Sequence, residues 1–248
     1  VTPARSAEDL RAFVDLPLRL HPRTRYVPLW QDSIRRWWNG KGPHTAHGDV
    51  DLLLARDATG AVVGRTTLHT DDRMDAKLGT PTQLMGATEF IGAAALRAMT
   101  AHAEERARAA GRRAVLGPVS LLPNQTGGVI TSGFDERGFV DSAWNPADYP
   151  TAWQAAGYSP VWPAATWICE DLQSLDADAV FPRGEDSLPA AVELHHGRRR
   201  GLSSQLGILR GMLNPSFAQL PYYTQISEEE LAVATDGLAW LLDEQLLL

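Results

Sequence analysis

Cysteine is nearly missing from this sequence: Cys169 is the only one in 248 residues. A single thiol excludes an intrachain disulfide and a thiolate metal cage, and it fits a reducing, intracellular setting. No stretch approaches the roughly 20 apolar residues that a bilayer-spanning helix needs. The opening Val-Thr-Pro-Ala-Arg-Ser also lacks the apolar core of a signal peptide. A cytoplasmic location with no membrane partner is the expectation. Surplus positive charge is missing as well. The formal net charge of −7 argues against a nucleic-acid partner, because neutralising phosphates takes a surplus of Lys and Arg on one face. The one concentrated basic run, Arg198-Arg199-Arg200, reads as a solvated helix entrance. There is no G-x-S-x-G elbow, P-loop, H-E-x-x-H or dinucleotide fingerprint. His44 and His47, and the adjacent His195-His196, read as surface histidines, so no metal site is expected.

What is present belongs to an ordinary globular chain, 44% apolar and 21% charged. The length suits one large domain or two small ones. Ser6, three positions before Asp9 and ahead of Leu10, Phe13 and Val14, predicts a capped amphipathic helix. Pro17 and Pro22 then bound a short connection. The segment 26–40, YVPLWQDSIRRWWNG, predicts a second helix, on which Trp37 and Trp38 face different directions. One of the two is free to cover a groove.

The period then changes. Residues 49–70, DVDLLLARDATGAVVGRTTLHT, predict two antiparallel strands around a turn at Asp57 and Gly60. Residues 71–82 read as a polar interruption, QLMGATEFI (83–91) as a third strand, and GAAALRAMTAHAEERARAAG (92–111) as a helix closed by Gly111. RRAVLGPVSL (112–121) predicts a strand, NPADYPTAWQAAGY (145–158) a short helix, and ATWICEDL (165–172) a further strand. The order implies an α/β fold, a central sheet with helices on both faces.

Three segments carry a resemblance: AVVGRTTLH (61–69), LGPVSLLPNQTGGVITSGFD (116–135) and WNPADYPTAWQAAGY (144–158). In this order they resemble the vGRi, GPvs..n...G.l..GFd and ynp.YY...l...Gf segments of uncharacterised bacterial GNAT-like proteins, within the GCN5-related N-acetyltransferase superfamily. The likeness covers roughly residues 6–172. One departure is that Asp148-Tyr149 stands where that group has paired tyrosines. The resemblance implies a GNAT-like twisted mixed sheet and direct attack of an amine on an acyl-CoA thioester, with acetyl-CoA or another acyl-CoA as donor. A small-molecule or peptide amine is then the acceptor.

It also implies site residues. The superfamily's pyrophosphate turn, [QR]-x-x-G-x-[GA], falls on Glu89-Phe90-Ile91-Gly92-Ala93-Ala94. Gly92, Ala93 and Ala94 keep such a turn open, but acidic Glu89 replaces the leading Arg or Gln and would repel a pyrophosphate there. Glu89 has two further readings, a general base for the attacking amine and a carboxylate complementing the helix dipole. Tyr149 reads either as a general acid for the leaving thiolate or as an interfacial core tyrosine. Asn124 and Asn145 could bond an amide-bearing ligand such as pantetheine, or cap turns. The alternative to an enzyme is a non-catalytic GNAT-fold binding or assembly domain with a degenerate CoA site.

After about residue 172, a polar linker (173–188) precedes AVELHHGRRRG, a possible strand, and the helical patterns LSSQLGILRGMLNPSF and SEEELAVATDGLAWLLD. Ser227 and Glu230 form a capping-box pattern in the second of these. The chain then ends on EQLLL. The order of element types repeats that of the N-terminal region. We therefore expect a GNAT-like domain over 1–172 and, over 189–248, either a partial second GNAT-like copy or a C-terminal helical extension.

Overall fold

The computed structural model describes residues 1–122, 127–180, 189, 191–193, 195–236 and 243. The chain divides into two compact units. Val1–Ser159 and Gly207–Thr235 form the first, which contains the whole sheet. Pro160–Leu206 and the residues from Asp236 form the second.

A five-stranded mixed sheet runs in the order β1-β2-β3-β4-β5. The strands are β1 (Thr2–Pro3), β2 (Val50–Arg56), β3 (Val62–His69), β4 (Thr82–Phe90) and β5 (Ala114–Leu116). The first four pair antiparallel in succession, and β5 lies parallel to β4. Eight α-helices occur among the described residues: α1 (Ala7–Leu20), α2 (Gln31–Trp38), α3 (Asp72–Leu78), α4 (Gly92–Ala109), α5 (Tyr149–Ala155), α6 (Ala177–Val180), α7 (Leu202–Phe217) and α8 (Glu228–Ala234).

Alternation along β2 divides the core. Leu53 and Ala55 join Leu68, Met85, Leu96, Met99 and Trp153 under α4 and α5. Leu52 and Leu54 point the other way and pack with Phe13 of α1 and Ile34 of α2. Helices therefore cover both faces, as the order of elements predicts. Trp38 donates its indole N–H to the Ala4 carbonyl at 3.1 Å, tying α2 to the residue that follows β1.

Several local expectations need correction. Pro17 does not begin a connection but lies inside α1, which continues to Leu20. A proline there has no N–H for the Phe13 carbonyl. That carbonyl instead accepts 2.7 Å from Nη1 of Arg65 on β3. The second helix begins at Gln31 rather than at residue 26, after Pro28. Residues 71–82 contain α3, because Asp71 caps it by accepting from the amides of Arg73 (2.8 Å) and Met74 (3.2 Å), while Met74 supplies a buried anchor. The strand expected over 112–121 is only three residues long. Beyond Leu116 the chain leaves β4 through Gly117 and Pro118, and Pro118 has no N–H with which to continue a ladder. ATWICEDL forms no strand: it lies in the second unit, with Trp167 90% exposed. AVELHHGRRRG shows no strand among its described residues. Arg198-Arg199-Arg200 lies exposed at the entrance to α7, and the capping box of Ser227 and Glu230 opens α8. EQLLL falls outside the described residues.

Candidate functional site

Two departures from regularity open the sheet. On the β3 side, Arg65 pairs with Glu89 while Thr67 pairs with Gly86, so β4 carries a bulge, with Ala87 at φ 46°. On the other side, β5 stops opposite Leu84. The departing chain stays close at first, since Val119 N–H donates to the Met85 carbonyl at 2.8 Å. Gly86 permits that approach: a Cβ there would lie 2.3 Å from the Val119 oxygen. The end of β4, from Ala87 to Glu89, thus forms one wall of a cleft of about 110 Å³. The remaining walls come from Pro118–Leu121, Gly127–Val129, Asp141–Asn145, the Tyr26–Leu29 connection, Trp37 of α2, and Tyr149 and Trp153 of α5.

A buried polar cluster lies at this wall. Glu89, 7% exposed, receives His21 Nε2 at 2.6 Å and the Tyr149 hydroxyl at 3.1 Å, both on Oε2. Tyr149 O also accepts from the Phe90 amide at 3.1 Å, and its ring stacks on Phe90 at 3.9 Å. Burial, together with the Glu89 carboxylate, pushes the phenol above its ordinary range, so the proton is held firmly. Arg65, 1% exposed, brings Nη2 to 4.0 Å from Glu89 Oε1 and stands 5.0 Å over the Phe13 ring. Burial pushes Tyr26, beside Arg65, up to about 12, with the guanidinium opposing that shift.

The structure therefore brings Glu89 and Tyr149 together at the cleft. Asn145 also lines it, but its amide is spent on the main chain: Oδ1 accepts from Ile130 N–H at 2.8 Å, and Nδ2 donates to Ile130 O at 3.2 Å and Pro146 O at 2.9 Å. This is the turn-capping alternative. Gly92, Ala93 and Ala94 form the first turn of α4 and do not line the cleft. Gly92 has φ 73° and open space where a Cβ would stand, and Ile91 supplies no side-chain cap. Asn124 lies outside the described residues. The repulsion expected between Glu89 and a pyrophosphate presupposes a carboxylate at the helix entrance. Glu89 is instead engaged by His21 and Tyr149, whereas Gly92 and Ala94 face solvent.

His21 and Arg65 are the members that the sequence reading missed. His21 looked like part of a proline-bounded connection, but it is the C-cap of α1. Arg65 stood inside a quoted strand motif, and a lone charge amid apolar alternation was the available signal. The histidines expected at the surface also differ. His44 is buried, and burial holds it below its usual range. His47 pairs with Glu230 at 3.2 Å and Asp72 at 3.6 Å. His47, Asp71 and Asp72 approach one another closely enough to suggest a cation site. Asp71, however, is already compensated by two α3 amides and the Arg73 guanidinium, which suits an internal ion-pair network better.

No family model matches the sequence, and no solved structure matches it. Two curated bacterial proteins are similar to it. Protein YghO of Escherichia coli (strain K12) is 23% identical over 241 residues, an alignment covering 96% of this chain and 61% of YghO. Bacterial ceramide synthase of Caulobacter vibrioides (strain NA1000 / CB15N) is 23% identical over 256 aligned residues, covering 99% of this chain and 65% of that protein. The chain thus spans less than two thirds of the length of these curated relatives. No helix among the described residues is long and apolar enough to cross a membrane.

Proposed function

We propose that this chain belongs to a GNAT-like acyltransferase and moves an acyl group from an acyl-CoA thioester to an amine. The observation that carries the reading is a carboxylate and a phenol meeting at 3.1 Å beside a cleft, where β5 parts from a bulged β4. The first turn of α4 supports it, since Ile91 gives no side-chain cap and the positive helix end suits a phosphate-bearing donor. GNAT-like architecture, a second copy beginning near residue 189 and a cytoplasmic setting belong to the same proposal. The ceramide synthase relative suggests the acceptor class. A ceramide is the amide of a fatty acid with a long-chain amino alcohol, and much of the cleft lining is apolar or aromatic, including Val27, Leu29, Trp37 and Trp144.

The groups divide the proton work. The amine nitrogen bonds to the thioester carbon, the C–S bond breaks, and its electron pair leaves on sulfur. Glu89 takes the proton that the amine loses, and Tyr149 gives one to the thiolate. Neutralising Glu89 removes the negative charge that helped hold the phenol proton, so the first transfer favours the second. Glu89 then loses its proton to solvent and Tyr149 regains one from solvent, which resets the site.

The test is CoA release from acyl-CoA donors in the presence of long-chain amino alcohols, short amines and peptides, followed with a thiol-reactive disulfide. The exposed thiol of Cys169 must be titrated first, as it consumes one equivalent of reagent. Turnover that depends on an amine supports the reading. Donor binding without turnover would favour the non-catalytic domain, and neither binding nor turnover with any donor would sink the proposal.

A further inference from the structure

We infer that His21 is a positioning residue for Glu89: it fixes one carboxylate oxygen so that the other alone is offered to the cleft as proton acceptor. The inference rests on Glu89 being the base. The His21 side chain has no exposed surface and does not line the cleft, so it cannot touch a substrate. Its Nε2 lies 2.6 Å from Oε2, the oxygen that the Tyr149 hydroxyl also reaches. Against a carboxylate, Nε2 must carry the bridging hydrogen. Nδ1 is buried with no partner to donate to and is therefore the bare nitrogen. Oε2 is thus occupied by the His21 N–H and by the phenol, whose single hydrogen is shared with the Phe90 carbonyl at 3.2 Å. Among the described residues Oε1 has no hydrogen bond, and Arg65 Nη2 stands 4.0 Å from it.

Arg65 is what makes the histidine necessary. A buried guanidinium 4.0 Å from a carboxylate draws it towards a close ion pair, since attraction rises steeply where water is excluded. A carboxylate paired bidentately with Arg65 would have both oxygens engaged and would be a poor base. His21 opposes that movement from the end of α1. Its backbone N–H is anchored to the Pro17 carbonyl at 2.9 Å, and its ring is packed by Tyr26 and Trp144 with centroids at 4.8 and 5.2 Å. The other neighbour of Arg65 on the same helix, the Phe13 carbonyl left free by Pro17, holds the guanidinium in place. One helix therefore restrains both the base and the cation competing for it. During transfer Oε1 takes the amine proton while Oε2 keeps the His21 N–H as Tyr149 gives up its own proton.

The test compares His21→Gln, which keeps an N–H donor, with His21→Leu, which removes it, both confirmed as folded by circular dichroism. With saturating acyl-CoA and amine, His21→Leu should lower kcat by about tenfold or more, leave the donor KM within about twofold, and be rescued to within about threefold of wild type by His21→Gln. Histidine-labelled NMR supplies a readout independent of turnover. Wild type should show a low-field, exchange-protected Nε2–H signal for His21 that moves upfield in Glu89→Gln. Equal loss of kcat in both His21 variants, unchanged kcat in His21→Leu, or no Glu89-dependent His21 signal would each overturn the inference. If wild type is inactive with every donor and amine, the acyltransfer reading fails and the proton-acceptor role fails with it. The NMR signal then still decides whether His21 fixes the carboxylate.

Discussion

Pro17 has no amide hydrogen to give the Phe13 carbonyl, and that missing donor lets Arg65 lie buried across β3 with its charge held near Glu89. A buried cation and a buried carboxylate depend on each other, since removing either leaves the other without its counter-charge. Glu89→Gln is close to isosteric but cannot take a proton from an amine. Its kcat should fall by about 10²–10⁴-fold, the range for losing a general base. Urea unfolding of the same variant should show a loss of roughly 3–5 kcal/mol, because the Arg65 charge is left uncompensated. Tyr149→Phe separates acid from scaffold. It keeps the ring stacked on Phe90 but strips the Phe90 amide of its acceptor. Stability should drop by about 1–3 kcal/mol for the unsatisfied amide. Turnover should fall far more with a poor leaving thiol than with an activated one, as a plain packing defect would not require. Equal losses with both donors would remove the phenol from the proton transfer.

At the scale of elements, legibility followed the strength of local signals. The β2–β3 hairpin and α4 were readable because alternation and helix formers agree with their surroundings, and Ser6 and Ser227 marked helix starts by a mechanism that needs no tertiary partner. Strand β5 was overread because apolar residues continue past Gly117, while pairing ends where the backbone diverges. Glu89 and Tyr149 were singled out through a resemblance, and the structure brings the two side chains to 3.1 Å. Their meeting with His21 was not legible, since a span of 68 residues between His21 and Glu89 has no periodicity to betray it. The loop beside the cleft is held by another buried histidine, His69 of β3, whose Nε2 bonds the Ser120 carbonyl at 3.1 Å. Burial lowers His69 from 6.5 to about 4. The unfolded chain therefore takes up a proton near pH 6.5 that the folded chain refuses until about pH 4. This contribution is complete above pH 6.5 and is lost as pH falls through that window, by of order 3 kcal/mol. Chemical unfolding across pH 4–7 should show that slope, and His69→Gln should flatten it. An unchanged slope would assign the effect to other groups, beginning with buried His44.

A second element depends on a single buried carboxylate. Glu230, in the first turn of α8, places Oε1 at 2.8 Å from Arg73 Nη1 and 3.2 Å from His47 Nε2. The same Arg73 Nη1 donates to the Gln225 carbonyl at 2.9 Å, and Lys77 donates to that of Ala218. These bonds tie residues 218–235 to α3. Glu230→Gln should raise amide hydrogen exchange in α8 by more than about tenfold while leaving α4 unchanged, because α8 has its own opening equilibrium only if this network holds it down. Equal acceleration in both helices would mean that α8 opens only with the sheet.

For the whole molecule, the proposed donor must find its positive field in a chain of net charge −7. Long-range attraction to a polyanionic CoA is therefore unfavourable, and binding has to come from short-range groups: the first-turn amides at Gly92–Ala94, which Ile91 does not cap with its side chain, and the open edge of β4. Such binding stabilises the folded state alone. At about 100 times its dissociation constant, acyl-CoA should add ~2.7 kcal/mol to unfolding, read as a concentration-dependent rise in Tm. Ala94→Asp, on the exposed face of the first turn of α4, puts a carboxylate beside those amides without entering the cleft or the core. It should abolish the rise while leaving the unliganded Tm nearly unchanged, because an acidic residue in a first helical turn does not itself destabilise the helix. A rise that survives Ala94→Asp would move the donor away from α4. If wild type shows no rise at any acyl-CoA concentration, this chain does not hold the donor at α4 and that part of the proposal fails.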